Sequence, residues 1–126
     1  MNIPENLYYT KEHEWIAIEG NEGKVGVTDF AQHQLGDVVF IEVNTIGETV
    51  EAGEAFCTIE AVKTVSDMFA PLGCEILEFN ENLSDNPELV NTDPYGEGWI
   101  VKVKITDPAE IGNLLSASDY SKLVEA

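Results

Sequence analysis

Short apolar runs recur along the chain, and most of them predict β-strands. Residues 15–19 and 24–27 are apolar-rich segments on either side of turn-forming residues at 20–23, an arrangement typical of a hairpin. Five further segments are rich in Val, Ile and Phe and are divided by Gly, Pro and Asn, which is typical of strands separated by turns. These segments are 37–43, 55–59, 64–69, 75–79 and 99–105. The pattern therefore predicts a mainly β fold.

Two segments carry helical signals instead. Thr28 is a good N-cap, Asp29 suits a first helical turn, and Gly36 suits the left-handed position after a helix end. Near the end of the chain, Asp107 followed by Pro108 is typical of a capped helix start. The residues that would give this C-terminal helical segment an apolar face are Leu114, Leu115, Tyr120, Leu123 and Val124. We expect one short internal helix and one helical segment at the C-terminus.

A weak internal repeat relates residues 47–56 to residues 80–89. Apolar positions coincide at an offset of 33, and Gly47 and Gly53 align with asparagines, the other residue type that tolerates positive φ. Two such β-turn-β units predict a quasi-twofold sandwich or flattened barrel. No segment has the composition of a linker, so we expect residues 1–126 to form a single domain.

The charge of the chain narrows its range of partners. It has 24 acidic residues against six lysines and no arginine, for a formal net charge of −18. Such a charge argues against nucleic-acid and membrane-surface binding and favours a partner with a basic surface. No apolar run approaches the roughly 20 residues of a membrane span, and the first residues do not resemble a signal peptide. Cys57 and Cys74 form no C-x-x-C motif, and we expect buried free thiols and a reducing compartment.

No residue pattern of the chain points to catalysis or to metal binding. The two histidines and two cysteines are scattered, and neither a nucleophile-elbow motif nor a phosphate-binding glycine loop is present. We therefore predict no catalytic residue and no metal ligand. His13 is expected to form structural hydrogen bonds.

One lysine stands out by its position. Lys63 is the single cation between Lys24 and Lys102, an interval that holds fifteen acidic residues. It lies between two strand-like runs, so the spacing allows a hairpin with Lys63 at or beside its tip. One interpretation is a surface lysine favoured by its acidic surroundings. The other is an amine presented on a tight turn for covalent modification.

The residues around Lys63 favour modification. The string from Glu60 to Thr64 resembles the E-x-x-K hairpin tip of lipoyl and biotinyl carrier domains, and the absence of methionine on either side of Lys63 speaks against biotin. The fuller string at 59–71 resembles the H protein family of the glycine cleavage system. Five other segments resemble the family in the same order, namely 9–15, 25–32, 35–40, 87–91 and 93–99.

The chain departs from the family pattern near the tip. Ala61 stands where the family usually has Ser, Thr64 where it usually has a small residue such as Ala, and Cys57 where it usually has Gly. The family favours Ser-Gly at the turn after the Ala-Pro pair, where this chain has Gly73 followed by cysteine. We expect the position of positive φ in this turn to shift with the glycine.

The resemblance implies a fold, a cofactor and partners. The implied fold is a lipoyl/biotinyl-type β sandwich, a flattened quasi-twofold barrel with short helices and a C-terminal helical segment. The implied cofactor is lipoate on Lys63, and the chain would be a monomeric carrier and not an enzyme. Glycine decarboxylase would load an aminomethyl group, aminomethyltransferase would pass it to tetrahydrofolate, and dihydrolipoamide dehydrogenase would reoxidise the carrier. Lipoylating enzymes are the remaining implied partners.

The loaded arm of such a carrier bears an ammonium group. A cleft with carboxylates would hold it and exclude water. Glu14 and Asp67 are the first candidates for this role, and Glu12 and Glu60 come second. The alternative for each of them is an ordinary surface acid.

Two other functions stay open at this point. A related lipoyl protein serving lipoate relay or another oxidoreductase would keep the same hairpin, and an unmodified acidic β domain would act only by binding. The start of the chain favours a bacterial cytoplasm, with the mitochondrial matrix as the alternative for a mature eukaryotic protein.

Overall fold

The computed structural model describes residues 2–125 and contains two antiparallel sheets. The six-stranded sheet has the order β1-β2-β3-β9-β8-β5, and the three-stranded sheet has the order β4-β6-β7. The strands are β1 (Tyr8–Tyr9), β2 (Glu14–Glu19), β3 (Glu22–Val27), β4 (Val38–Glu42), β5 (Thr49–Val50), β6 (Ala55–Ala61), β7 (Val65–Phe69), β8 (Cys74–Phe79) and β9 (Val101–Ile105). The helices are α1 (Asp29–Leu35), α2 (Asn82–Asp85), α3 (Leu89–Thr92) and α4 (Ala117–Glu125), with a 3₁₀ helix at Pro108–Asn113 before α4.

The main core draws apolar side chains from both sheets. Ile16 and Val25 of the larger sheet, Ile59 of the smaller sheet and Leu72 between them are all buried in it. Alternation along the strands turns one face of each sheet toward this core, as two-layer β folds require. A smaller aromatic cluster built on Tyr9, Trp15 and Tyr120 lies where the C-terminal segment meets the first strands. The mainly β prediction, with short helices and a C-terminal helix, is confirmed.

The internal helix α1 forms as predicted. The Thr28 hydroxyl accepts a hydrogen bond from the Ala31 N–H at 3.2 Å and so caps the first turn. Gly36 follows the last turn with φ 76° and ψ −158°. This conformation has the predicted positive φ but lies outside the left-handed helical region, in a region open almost only to glycine.

The predicted repeat is wrong in its second half. Residues 80–89 contain α2 and the start of α3 instead of a second β-turn-β unit, and Asn86 has φ −132°. The Asn80 side chain explains the difference. Its amide donates to the carbonyls of Glu97 and Trp99 at 2.8 Å, and its oxygen accepts from the Asn82 N–H at 3.2 Å. These bonds begin a helical turn where the repeat predicted a strand.

The turn before β8 also differs from expectation. Gly73 is required by close packing instead of by a positive φ, because a Cβ there would lie 2.8 Å from a Glu110 carboxylate oxygen and 3.0 Å from the Thr106 hydroxyl. The Gly73 N–H donates to that same Glu110 oxygen at 2.9 Å. The shifted glycine thus makes room for a side chain from the C-terminal segment.

The C-terminal segment contains more breaks than the sequence pattern predicted. Asp107 caps its start by accepting from the Ala109 N–H at 3.1 Å, but the helix that follows is 3₁₀. Leu115 precedes α4 and pairs with Tyr9 as an isolated bridge, so the apolar face of α4 itself is centred on the buried Tyr120. Within residues 2–125, no helix is both long enough and apolar enough to cross a membrane.

Candidate functional site

Lys63 lies at the tip of the hairpin formed by β6 and β7, as predicted. The hairpin closes with a hydrogen bond of 2.8 Å from the Ala61 N–H to the Thr64 carbonyl, which leaves Val62 and Lys63 at the turn. The Val62 N–H donates to the Asp37 carbonyl at 2.9 Å and ties the tip to the segment after α1. A tight turn with this second anchor holds the exposed lysine in a fixed place.

The stem of Lys63 passes over Gly36. A Cβ at Gly36 would lie 3.1 Å from Cε of Lys63, so the missing side chain leaves the space that the lysine uses. Within residues 2–125, the only ion pair joins Lys102 to Glu78 at 3.2 Å. The Lys63 amine is therefore exposed and not engaged by any carboxylate of this part of the chain.

A cleft of about 250 Å³ opens beside the hairpin. One wall is the β7 edge at residues 66–69, and the other is residues 12–14 at the start of β2. Ala31, Gln34 and Leu35 of α1 close one side, and Val27 and Ile59 also line it. The cleft thus contains polar groups at its walls and apolar groups behind them.

Glu14 is unusual because it is an acidic residue of this cleft and yet only 2 % of it is exposed. One carboxylate oxygen accepts from the Phe69 N–H at 3.1 Å, and the other accepts from the Thr10 hydroxyl at 2.5 Å. Burial raises the pKa of Glu14 to about 7, against the lowering effect of these two hydrogen bonds. Near neutral pH both the neutral and the charged form of Glu14 are therefore populated.

His13 lies in the same wall of the cleft as Glu14. It has φ 71°, and its Nδ1 is hydrogen-bonded to the Tyr120 hydroxyl at 2.8 Å. That hydroxyl is in turn 2.7 Å from Oγ1 of Thr28, the N-cap of α1. Burial lowers the pKa of His13, which favours the neutral ring. The predicted structural role of His13 is confirmed, and it links the cleft to α1 and α4.

The other predicted carboxylates are placed differently. Asp67 lines the cleft, but its carboxylate accepts from the Thr58 hydroxyl at 3.3 Å. Thr58 pairs with Asp67 and Glu60 pairs with Val65, so all four side chains share the outer face of the smaller sheet. The structure therefore brings Glu12, Glu14 and Asp67 to one cleft and places Glu60 outside it.

The family model described as "Glycine cleavage H-protein" matches residues 7–126. The chain belongs to this family. It is 60 % identical over 124 residues to the glycine cleavage system H protein of Bacteroides thetaiotaomicron, with 98 % of each chain covered. It is 56 % identical over 126 residues to that of Bacteroides fragilis, with both chains fully covered.

A solved structure is similar as well. The crystal structure of a glycine cleavage system H protein from Mycobacterium marinum matches with a TM-score of 0.88 and 42 % identity, covering 98 % of this chain and 100 % of that one. The lipoyl-type β sandwich expected for an H protein is thereby confirmed. As an H protein the chain is a lipoyl carrier and not an enzyme, and its family bears lipoate.

Several residues of the site make contacts that carried no signal in the sequence. Thr10 and Phe69 hold the Glu14 carboxylate, and Tyr120 joins His13 to Thr28 across 107 and 92 positions of the chain. Thr10 precedes Glu14 by four residues, a spacing with no diagnostic value outside a helix. Within residues 2–125 no three His, Cys, Asp or Glu side chains are grouped as metal ligands.

Proposed function

We propose that this H protein is the lipoyl carrier of the glycine cleavage system and that Lys63 carries the lipoyl group as an amide on Nζ. The observation that supports this is the exposed Lys63 amine at the tip of an anchored hairpin, next to a cleft with a buried carboxylate. Residues 1–126 would act as one carrier domain. The protein would act in the bacterial cytoplasm, which agrees with its buried free thiols and its bacterial relatives.

The dimensions of the site fit a lipoyl arm. An arm of about ten bonds from the Lys63 Cα spans roughly 12–14 Å. It is long enough to enter a deep active site or to fold back into the cleft beside the hairpin. The lipoyl group supplies the dithiolane that takes up and gives up the aminomethyl group, while the protein supplies position and protection.

The partners are the enzymes that exchange groups with this arm. Glycine decarboxylase supplies the aminomethyl group, aminomethyltransferase receives it, dihydrolipoamide dehydrogenase reoxidises the dithiol, and lipoylating enzymes attach the arm. A carrier with net charge −18 and no arginine is attracted to basic rims around their active sites. The carrier is expected to dock as a monomer.

Glu14 is the group best suited to hold the ammonium of a loaded arm. Its carboxylate lies in the cleft wall, and its pKa of about 7 means that an approaching cation shifts it to the charged form. A charge-assisted hydrogen bond to this buried carboxylate would then form. Asp67 is the second candidate, although its carboxylate is shared with Thr58. Glu60 would act outside the cleft.

Peptide mapping after lipoylation tests the assignment of Lys63. The lipoyl mass is expected on the peptide that contains Lys63, and Lys63→Arg should abolish it because a guanidinium is not acylated. Lys24→Arg and Lys102→Arg are the matched controls and should be modified like the wild type. A mass shift on Lys24 or Lys102 would contradict the proposal.

A decarboxylation-exchange assay tests the pathway. The lipoylated chain is expected to support exchange of bicarbonate into glycine by purified glycine decarboxylase, whereas Lys63→Arg is not. A lipoylated chain that fails to support exchange would point to a lipoyl protein of another system.

A further inference from the structure

Exposed apolar side chains are concentrated at the lysine end of the smaller sheet. Within the described residues, seven large apolar residues are exposed. Four of them surround the hairpin tip, with exposed fractions of 46 % for Val39, 55 % for Phe40, 74 % for Val62 and 63 % for Val65. We refer to these four residues as the hairpin face. Tyr8, Ile46 and Leu123 are the other three.

The register of the smaller sheet places two of these four residues in one row, on either side of Glu60. Phe40 of β4 pairs with Glu60 of β6, and Glu60 pairs with Val65 of β7, so the three side chains form one row. Strands about 4.8 Å apart place Phe40 and Val65 roughly 10 Å from each other across Glu60. Val62 follows at the tip, anchored to Asp37. The row lies on the sheet face opposite to the core.

Acidic side chains surround the hairpin face. Glu42 and Asp67 belong to the next row of the sheet, Asp37 lies beside the tip, and all three are exposed like Glu60. Lys63 is the only cation between residues 25 and 101. A complementary surface would therefore present an apolar depression framed by Lys or Arg.

The short reach of the unmodified lysine side chain indicates which partner has to contact this surface. The bare side chain brings Nζ only about 6 Å from its Cα, roughly half the reach of the finished arm. An enzyme that acts on the finished arm can stay at a distance from the sheet. An enzyme that acylates the bare amine has to bring its own active site to the tip and must contact the residues around it.

We propose that the hairpin face is the docking surface for the enzyme that attaches lipoate to Lys63, and that Phe40 is its main anchor. The inference rests on the proposed function of Lys63. In the step itself, the deprotonated Nζ attacks the carbonyl carbon of an adenylate-activated lipoyl donor. The C–N bond forms, the C–O bond breaks with AMP as the leaving group, and one proton of the attacking nitrogen passes to solvent to leave the neutral amide. No oxidation or reduction occurs.

The test compares two reactions of the same variants. Phe40→Ala and Val65→Thr are made with Ile46→Ala and Leu123→Ala as controls, which remove apolar groups of similar exposure elsewhere on the molecule. Attachment is followed by intact mass with a purified lipoate–protein ligase, lipoate and ATP. Fully lipoylated samples of each variant are then assayed with purified glycine decarboxylase. Melting temperatures report on folding.

We expect Phe40→Ala to lower kcat/KM for attachment tenfold or more, mainly through KM, and Val65→Thr to lower it about threefold. Both controls should stay within twofold of wild type, and the lipoylated Phe40→Ala chain should keep its decarboxylase rate within threefold. The inference is overturned if Phe40→Ala equals Ile46→Ala in attachment, or if both reactions fall equally. Failure of the wild type to accept lipoate at Lys63 would instead refute the proposed function.

Discussion

The hairpin tip and the cleft wall beside it differ in their exposure and in the sequence distance between the residues that form them. The tip is exposed and local: Ala61 and Thr64 close a turn within four residues, and Lys63 stands on it. The wall is buried and non-local, because Glu14 is fixed by Phe69, 55 positions away. The tip is accessible because little covers it, whereas the Glu14 carboxylate in the wall is hydrogen-bonded and shielded from solvent. A carrier needs both properties within one arm's length.

The largest effect should come from the buried carboxylate of the wall. The pKa of Glu14 rises from about 4.5 unfolded to about 7 folded, so the folded protein binds the extra proton between these values. Stability from this group is therefore complete below pH 4.5 and is lost as the pH rises to 7. Relative to Glu14→Gln, the wild type should lose on the order of 3 kcal/mol of unfolding free energy over this range.

Urea unfolding at pH values from 4.5 to 8.5 measures this loss. Glu12→Gln removes an exposed carboxylate from the same cleft, and because the Glu12 charge is the smallest cause of the raised pKa of Glu14, this variant should keep most of the wild-type loss. If Glu14→Gln loses as much unfolding free energy over this pH range as the wild type, the loss does not come from the Glu14 carboxylate.

The glycine beneath the lysine should have the next largest effect. Gly36→Ala is expected to cost about 1–3 kcal/mol because φ 76° with ψ −158° is closed to residues with a Cβ. It should also displace Lys63, whose Cε lies 3.1 Å from the new Cβ, and slow attachment of lipoate. Gly47→Ala is the control, since Gly47 has φ 85° and no atom within 4 Å of its Cβ position.

Thermal unfolding and the rate of lipoate attachment are measured on both variants. Both should lose stability, and only Gly36→Ala should be attached more slowly. Equal attachment rates would show that the lysine stem does not depend on the space over Gly36.

If Glu14 protects the loaded arm, its replacement should change the lifetime of the aminomethyl adduct. Above pH 7, Glu14 is charged, and its replacement by Gln should shorten the lifetime of the aminomethyl adduct about tenfold, which corresponds to about 1.4 kcal/mol. Well below pH 7 the difference should vanish because Glu14 is then neutral in the wild type too. Release of ammonia or formaldehyde from pre-loaded carrier, without the transferase, gives the rates.

In this release assay Asp67→Asn is expected to have a smaller effect than Glu14→Gln, because Thr58 already uses the Asp67 carboxylate. Identical rates in the wild type and both variants at pH 8 would mean that protection comes from the apolar part of the cleft alone.

The smallest effect is expected from salt. The net charge of −18 should speed the encounter with basic partner surfaces, and screening reduces this field to a range of about 8 Å at physiological ionic strength. The apparent KM of glycine decarboxylase for the lipoylated carrier should therefore rise a few-fold between low and physiological salt. A flat profile would show that docking rests on apolar contact.

Local signals explain what the sequence could predict. The Thr28 cap, the positive φ of Gly36 and the hairpin around Lys63 each depend on a few neighbouring residues, and all three are confirmed. The cleft depends on bonds between distant segments, so the pattern identified Glu14 as a candidate but not its partners or its burial. The helical turn after Asn80 was missed for the same reason, since it is organised by carbonyls of Glu97 and Trp99.

The hydroxyl of Tyr120 has a consequence for how the two parts of the site depend on the C-terminal helix. It joins His13 of the cleft wall to the N-cap of α1, and it belongs to α4. The hairpin of Lys63 and its anchor to Asp37 lie entirely within residues 37–69, whereas the hydrogen bond that holds the His13 ring needs α4. The Tyr120 contacts thus make the His13 side of the cleft dependent on α4, whereas the lysine hairpin does not depend on it.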